Sequence, residues 1–173
     1  QRSLAIVEKA RGPEHADLLS PLNNLAFHHL QQRRYTDAEP LFKRGWREDK
    51  GDAPLKETLA AAMIAATGWD ACAGQPIDAI APLYDPCCGS GTVVIEAAQI
   101  ALNIAPGQLR RFAFEKLLPF QPHVWHAIKD DALKQQREWP AGHAPIVFGS
   151  DVSFRMVDFA QRNAERAGVA HAI

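Results

Sequence analysis

Apolar residues recur along this chain with two different periods, and the changes of period mark its organisation. Leu4, Val7 and Ala10 fall at helical spacing until Gly12-Pro13 ends the run. Ser20 as N-cap and Pro21 at the first helical position open a second helix, in which Leu22, Leu25, Ala26, His29 and Leu30 form one buried stripe. Arg33-Arg34-Tyr35 make a turn. Thr36-Asp37-Ala38-Glu39 then form a capping box, Thr36 and Glu39 satisfying each other's first-turn amides ahead of Leu41 and Phe42. Residues 45–52 are polar and irregular, hence a loop. Pro54 opens a helix through Leu59, Met63 and Ala66 that Gly68 closes. Leu83-Tyr84-Asp85 reads as a short strand ending in an acid, and a glycine-rich turn leads into an alanine-rich helix from Val93 to Ile104. Pro106-Gly107 breaks the chain, and Trp125, Ile128 and Ala132 predict a helix from Pro122 to Glu138. Pro145 to Asp151 is a second buried strand ending in an acid, Ser153 caps a helix from Phe154 to Arg166, and Val169 to Ile173 should open a third strand. The pattern predicts an α/β unit whose first two to three strands are parallel, preceded by an α-helical hairpin.

Composition narrows the function classes. The 173 residues suit one ordinary domain, or a small module joined to part of another, and 47% hydrophobic content with 23% charge is that of a soluble globular protein. Basic and acidic residues number 19 and 20, so no global field attracts a nucleic acid, and any RNA affinity must come from a local patch or a further domain. Three cysteines, two of them adjacent at Cys87 and Cys88, make a disulfide framework unexpected, lack a zinc pattern and point to a reducing cytosol. No apolar run reaches the ~18 residues that a membrane helix needs. His28 and His29 diverge by about 100° on a helix and do not chelate one metal together. The chain is therefore expected to be cytoplasmic, metal-free and without a membrane anchor.

The chemistry concentrates in Leu83-Tyr84-Asp85-Pro86-Cys87-Cys88-Gly89-Ser90-Gly91-Thr92. Gly89 and Gly91 let the backbone take up φ > 0 and approach a ligand, at a helix N-terminus whose unpaired amides favour a carboxylate or phosphate. No Lys follows the second glycine, which excludes the triphosphate loop. Val94 stands where a third glycine would complete a dinucleotide fingerprint. A ligand with an amino-acid end and a nucleoside end fits better: Asp85 would receive an ammonium and the loop amides a carboxylate. S-adenosylmethionine has both groups. Asp151, at the end of the next strand, can accept both ribose hydroxyls. It lies about sixty residues beyond Gly91 instead of the usual ~20, the excess being an insertion from Pro106 to Ala144. A bare G-x-G after a strand is often only a tight turn, but the whole ten-residue string resembles motif I of class I methyltransferases, in the D-P-x-C-G-S-G-T form of RNA and DNA base methyltransferases. That resemblance implies a partial Rossmann-like sheet and cofactor contacts from Asp85, Pro86, Gly89, Ser90, Gly91, Thr92 and Asp151.

A second string is similar to the segment just upstream of motif I in THUMP-linked RNA guanine-N2 methyltransferases, especially the large-subunit ribosomal RNA enzymes. It reads Arg44-Gly45-Trp46-Arg47, then Gly51, then Ala53-Pro54-Leu55-Lys56-Glu57-Thr58-Leu59-Ala60-Ala61. The likeness implies that Lys56, Glu57 and Thr58 help to wall the cofactor pocket and that ribosomal RNA is the partner; the alternative for Lys56 and Glu57 is a solvated first turn. Two departures stand out. Ser153-Phe154 replaces the family's usual Asp-Pro pair after the acid-bearing strand, and the catalytic Asn or Asp followed by Pro-Pro and an aromatic is nowhere in the sequence. The chain by itself is thus expected to be inactive.

Residues 1–44 resemble a tetratricopeptide repeat (TPR) of the kinesin light chain type. The likeness rests on Gly12-Pro13-Glu14-His15, Leu22-Asn23-Asn24-Leu25-Ala26 and the run from Arg34-Tyr35 through Ala38-Glu39-Pro40-Leu41-Phe42-Lys43-Arg44. It implies a protein partner, although such repeats need about three stacked copies to bury a continuous core. A non-catalytic alternative is therefore a repeat-type adaptor or a cofactor sensor. Between the strands, Arg110, Arg111, Phe112, Phe114, Lys116, Phe120 and Trp125 combine basic and aromatic character, which suits RNA, while their helical spacing from Trp125 onward argues for packing. His123 and His126 share a helix face without an acid or Cys partner and are expected to face solvent.

Overall fold

The computed structural model describes residues 43–69, 75–112, 115 and 120–173. The repeat-like hairpin expected over residues 1–44 lies almost entirely outside the described residues, as do Phe114 and Lys116. In chain order the elements are α1 (Glu57–Ala66), β1 (Leu83–Asp85), α2 (Thr92–Ala101), α3 (Pro122–Lys134), β2 (Val147–Gly149) and α4 (Phe154–Arg166), with 3-10 turns at Ile77–Ala79 and Ala170–Ala172. No helix among the described residues is long and apolar enough to cross a membrane. The chain divides into two compact units, one holding residues 44–109 and 132–173 and the other including residues 110–131.

In the larger unit β1 and β2 pair in parallel, with Leu83 opposite Val147, Tyr84 opposite Phe148 and Asp85 opposite Gly149. Both acid-bearing ends therefore emerge at the same edge. The α2 helix is the centre of the core: Val94, Ile95, Ala97, Ala98 and Ala101 are all buried, and the small alanines let α1, α4 and both strands close on it. Burying each Val or Ile there contributes about 1.5–3 kcal/mol. α1 adds Ala60 and Ile64, while α4 adds Ala160, Ala164 and, just past its end, Ala167 and Val169. The opposite face of the sheet is open, with Tyr84 and Phe148 exposed.

Several boundaries differ from the expected ones, each for a local reason. α1 starts at Glu57 and not at Pro54, because the Leu55 carbonyl accepts from the Arg47 guanidinium at 2.8 Å. α2 stops at Ala101, where Asn103 takes φ 53° and closes the helix in the left-handed region. α3 stops at Lys134 and not at Glu138: Asn103 Nδ2 donates to the Gln135 carbonyl at 2.9 Å, and the Arg137 amide donates to the Leu102 carbonyl at 2.8 Å. The third strand expected from Val169 to Ile173 is a 3-10 turn. Ala172 N–H bonds back to the Val169 carbonyl at 2.9 Å, and the Ala172 carbonyl accepts from Ile146 N–H, just before β2, at 3.3 Å. α4 runs from Phe154 to Arg166 as the sequence predicts.

In the smaller unit the basic and aromatic residues pack on one another. Phe112 meets Trp125 edge to face at 5.5 Å, Arg110 lies over the Phe112 ring at 4.2 Å and Lys129 over Trp125 at 5.7 Å. Packing therefore accounts for these rings. His123 and His126 are exposed, as expected.

Candidate functional site

Two aspartates bond to the backbone of the turn after β1 and of the β2 end beside it. Asp85 Oδ1 accepts from the Cys87 amide at 3.0 Å, and the Asp85 carbonyl accepts from Ser150 N–H at 2.9 Å across the strand pair. Asp151 accepts from Gly89 N–H at 3.0 Å through Oδ2 and from Ser153 N–H at 2.8 Å through Oδ1. Each carboxylate oxygen can take more than one hydrogen bond, so both acids keep acceptor capacity for a ligand. One expectation needs correcting: the Gly89 amide is given to Asp151 and is not reserved for a ligand carboxylate. The donors that remain for such a group are those of the first turn of α2. Its cap residue, Gly91, supplies no side-chain partner, and the first amide bonded back to the Gly91 carbonyl is that of Ile95, at 2.9 Å.

The two glycines serve different ends. Gly91 has φ +89°, and a Cβ there would stand 3.0 Å from the Ala160 Cβ and 3.1 Å from Ile95 Cδ1, so its bareness admits α4 and α2. Gly89 has φ +53°, and a Cβ there would meet nothing within 4 Å. The protein leaves open space beside Gly89, on the rim that also carries Asp85 and Asp151. That is where a ligand can approach the backbone.

Cys88 lies in the same turn, buried against Gly149. Burial pushes its thiol pKa up to about 11, helped by the negative charges of Asp85 and Asp151. The thiol thus stays protonated at neutral pH. Cys87 next to it is exposed.

Upstream residues reach the turn through Arg47. Its Nε donates to Glu57 Oε1 at 3.1 Å, while one terminal nitrogen donates to Thr92 Oγ1 at 2.7 Å. Glu57 is buried and paired, not solvated, whereas Lys56 is the exposed N-cap of α1 and Thr58 is half-buried. Of the expected cofactor residues, Asp85, Gly89, Ser90, Gly91 and Thr92 lie along one turn, and Asp151, beyond β2, bonds into it through the Gly89 amide. Pro86 sits exposed on its rim, and Glu57 joins through Arg47.

Two residues take part in this site without being expected in it. Arg47 stands in the upstream string, but no role is read for it there. The other is Asn163, which is 0% exposed and reaches both the turn and the upstream segment. Its signal was a polar residue set between Ala160, Ala164 and Ala167 on the apolar stripe of α4, where an amide must find partners. Nearby, Arg44 and Glu96 form a buried two-pronged ion pair, at 3.0 and 3.3 Å. Burial raises the Glu96 carboxyl above its ordinary pKa, with Arg44 opposing the rise. No cluster of His, Cys, Asp and Glu suited to a metal occurs among the described residues.

The family model described as "RMKL-like, methyltransferase domain" matches residues 44–173. The chain belongs to this family. Among curated relatives, the RMKL-like domain is 44% identical over 134 residues to the ribosomal RNA large subunit methyltransferase K/L of Vibrio cholerae, covering 77% of this chain and 18% of that protein. It is 45% identical over 135 residues to the protein of the same name from Psychromonas ingrahamii, covering 78% and 17%. The chain thus spans less than a fifth of these relatives. Among solved structures, the RMKL-like domain superposes on SMU.472, crystallised in complex with SAH, with a TM-score of 0.62 and 38% identity over 75% of this chain and 30% of that one.

Proposed function

We propose that residues 45–173 are the donor-binding part of an S-adenosylmethionine-dependent methyltransferase acting on guanine N2 of large-subunit ribosomal RNA, as the THUMP-linked enzymes do. The observation that carries this reading is the open backbone at Gly89 flanked by two strand-end carboxylates, Asp85 and Asp151. The geometry suits S-adenosylmethionine. In this proposal Asp85 receives the ammonium, and the first turn of α2, which has no side-chain cap, receives the carboxylate. Asp151 is fixed by two backbone amides with acceptor capacity left for ribose hydroxyls. Ser90, Gly91 and Thr92 shape the turn and Pro86 is exposed beside it, while in this proposal Lys56, Glu57 and Thr58 help to wall the pocket, Glu57 being tied to Thr92 through Arg47. The relatives named for ribosomal RNA and the neighbour crystallised with SAH support the same assignment.

When bound, the donor supplies a methyl group on a sulfonium. The chain's own part is to hold and orient, which is where most of the rate advantage of such a transfer arises. The protonated Cys88 thiol is a poor competitor for that methyl, since the thiolate is the nucleophile. An acceptor amine must also lose a proton, and the Asn or Asp before Pro-Pro and an aromatic that would receive its hydrogen bond is not among these 173 residues. The reading therefore holds that this chain binds the donor without transferring methyl by itself. Residues 1–44 enter it as a repeat-type contact for a protein partner, and the setting is cytoplasmic.

Calorimetric titration with S-adenosylmethionine tests the reading. Saturable one-site binding that Asp151→Ala weakens at least about ten-fold is expected for a charge-assisted hydrogen-bond partner. Folded protein that takes up no donor would sink it. Incubation with labelled donor and ribosomal RNA should yield no transfer.

A further inference from the structure

The donor turn is fastened from behind by a residue far away in sequence. Asn163 Nδ2 donates to the Ser90 carbonyl at 3.0 Å and to the Asp49 carbonyl at 2.8 Å, and its Oδ1 accepts from the Glu48 and Asp49 amides, both at 3.3 Å. Arg166, one turn along α4, donates to the same Oδ1, to the Trp46 carbonyl at 3.1 Å and to Asp49 Oδ2 at 2.6 Å. A buried primary amide with all its hydrogen-bonding groups engaged has one orientation available, because rotating it would set oxygen against oxygen.

This node has a direct consequence for the turn. A peptide plane carries its carbonyl and the next amide on opposite sides, and here both sides of the Ser90-Gly91 plane are bonded: the Ser90 carbonyl to Asn163, and the Gly91 amide to the Cys88 carbonyl at 2.9 Å. Ala160, three residues before Asn163, presses on Gly91 where any side chain would collide. One face of α4 thus fixes the tilt of that peptide and the entry of α2. We infer that Asn163, braced by Arg166, is a positioning residue that clamps residues 46–49 and the Ser90-Gly91 peptide into the geometry that receives the donor. It touches no donor atom in this scheme. Its effect passes through the orientation of the first-turn amides of α2 and through Arg47, whose segment it holds. The inference rests on the donor site proposed above.

The test compares Asn163→Asp, Arg166→Gln and, as a control, Val169→Ala. Asn163→Asp keeps shape and acceptor but sets an oxygen against the Ser90 and Asp49 carbonyls. Arg166→Gln acts at a residue whose side chain is 27% exposed and spares the core. Val169→Ala removes apolar volume at a fully buried site beyond the end of α4. All are titrated with S-adenosylhomocysteine under conditions where circular dichroism reports folded protein. Losing two hydrogen bonds' worth of positioning predicts at least about ten-fold weaker binding for Asn163→Asp, and about three-fold for Arg166→Gln. Val169→Ala should stay within about two-fold of the wild type even though it is less stable. A second readout needs no ligand: exchange of the Gly91 amide should quicken at least about ten-fold in Asn163→Asp relative to Val169→Ala. Undiminished affinity in folded Asn163→Asp, or in Arg166→Gln should the first variant not fold, overturns the inference, as does unchanged Gly91 protection. Absence of binding by the wild type would instead overturn the donor assignment, leaving the exchange comparison to decide the role of Asn163.

Discussion

At the scale of single residues, Cys88 and the two turn glycines separate what the fold demands from what a ligand would. The Cys88 thiol has its pKa pushed up from 9.0 to about 11 by burial and by Asp85 and Asp151. A raised acid pKa means that the folded state holds the proton more tightly than the unfolded chain does. This stabilisation is fully present below about pH 9 and is lost as pH climbs toward 11. Two units correspond to roughly 2–3 kcal/mol. Urea denaturation at pH 8 and at pH 10.5 should show a larger loss for the wild type than for Cys88→Ala, and equal losses would contradict the burial argument. The glycines make a second comparison. Gly91→Ala meets both a left-handed backbone and a 3.0 Å contact with Ala160, whereas Gly89→Ala meets only the backbone term. Gly91→Ala should cost roughly 2–4 kcal/mol of stability and Gly89→Ala about 1 kcal/mol. Donor affinity should nonetheless fall in Gly89→Ala, because its new methyl occupies the open side of the turn.

At the scale of elements, the legible parts of the sequence were those whose determinants are local. α4 matches its predicted span because its helical apolar spacing and the left-handed Gly168 that follows it lie within one stretch, although Ser153 at its N-cap makes no side-chain bond. The positions of Asp85, Asp151 and the glycine turn were readable because strand, turn and helix follow one another directly. The partners that hold the turn were not. Arg47 meets Thr92 across 45 residues and Asn163 meets Asp49 across 114, distances over which no periodicity carries information. The expected third strand failed for a related reason: Val169 and Ile173 have strand-forming side chains, but strand structure requires a paired neighbour, and the local Ala172 to Val169 bond prevailed. Glu96 shows the same blindness, an acid in an alanine-rich helix that turns inward only because Arg44 awaits it. Replacing Arg44 by Met strands a buried carboxylate and should cost about 3–5 kcal/mol by urea denaturation. Arg44→Met with Glu96→Leu removes the stranded charge and should recover part of that loss. A double variant no more stable than the single one would mean that the ion pair itself, and not its desolvation, governs this site.

At the scale of the whole molecule, the proposed donor site should be visible as linkage between binding and unfolding. A ligand that binds only the folded chain stabilises it by RT ln(1 + [L]/Kd), about 2.7 kcal/mol at a hundred-fold excess over Kd. The turn belongs to the core that α1, α2, α4 and both strands share, so donor uptake must report on cooperative unfolding of that unit and not on a fraying loop. S-adenosylhomocysteine should therefore raise the urea midpoint of the 173-residue chain in a concentration-dependent way. Adenosine triphosphate at the same concentration should not: no Lys follows Gly91 to meet a triphosphate, and Asp85 and Asp151 line the rim with negative charge. The chemistry of the two ligands makes the comparison selective. They share adenosine, so a shift with both would reveal a site that reads only the nucleoside, through Asp151. A shift with the homocysteine compound alone requires the amino-acid end as well, through Asp85 and the first turn of α2. Asp85→Asn should then abolish most of the shift while leaving the ligand-free midpoint nearly unchanged, since the amide oxygen still accepts from Cys87 N–H. If Asp85→Asn gave the full shift, the ammonium would have another partner, and the assignment of this carboxylate would have to be withdrawn.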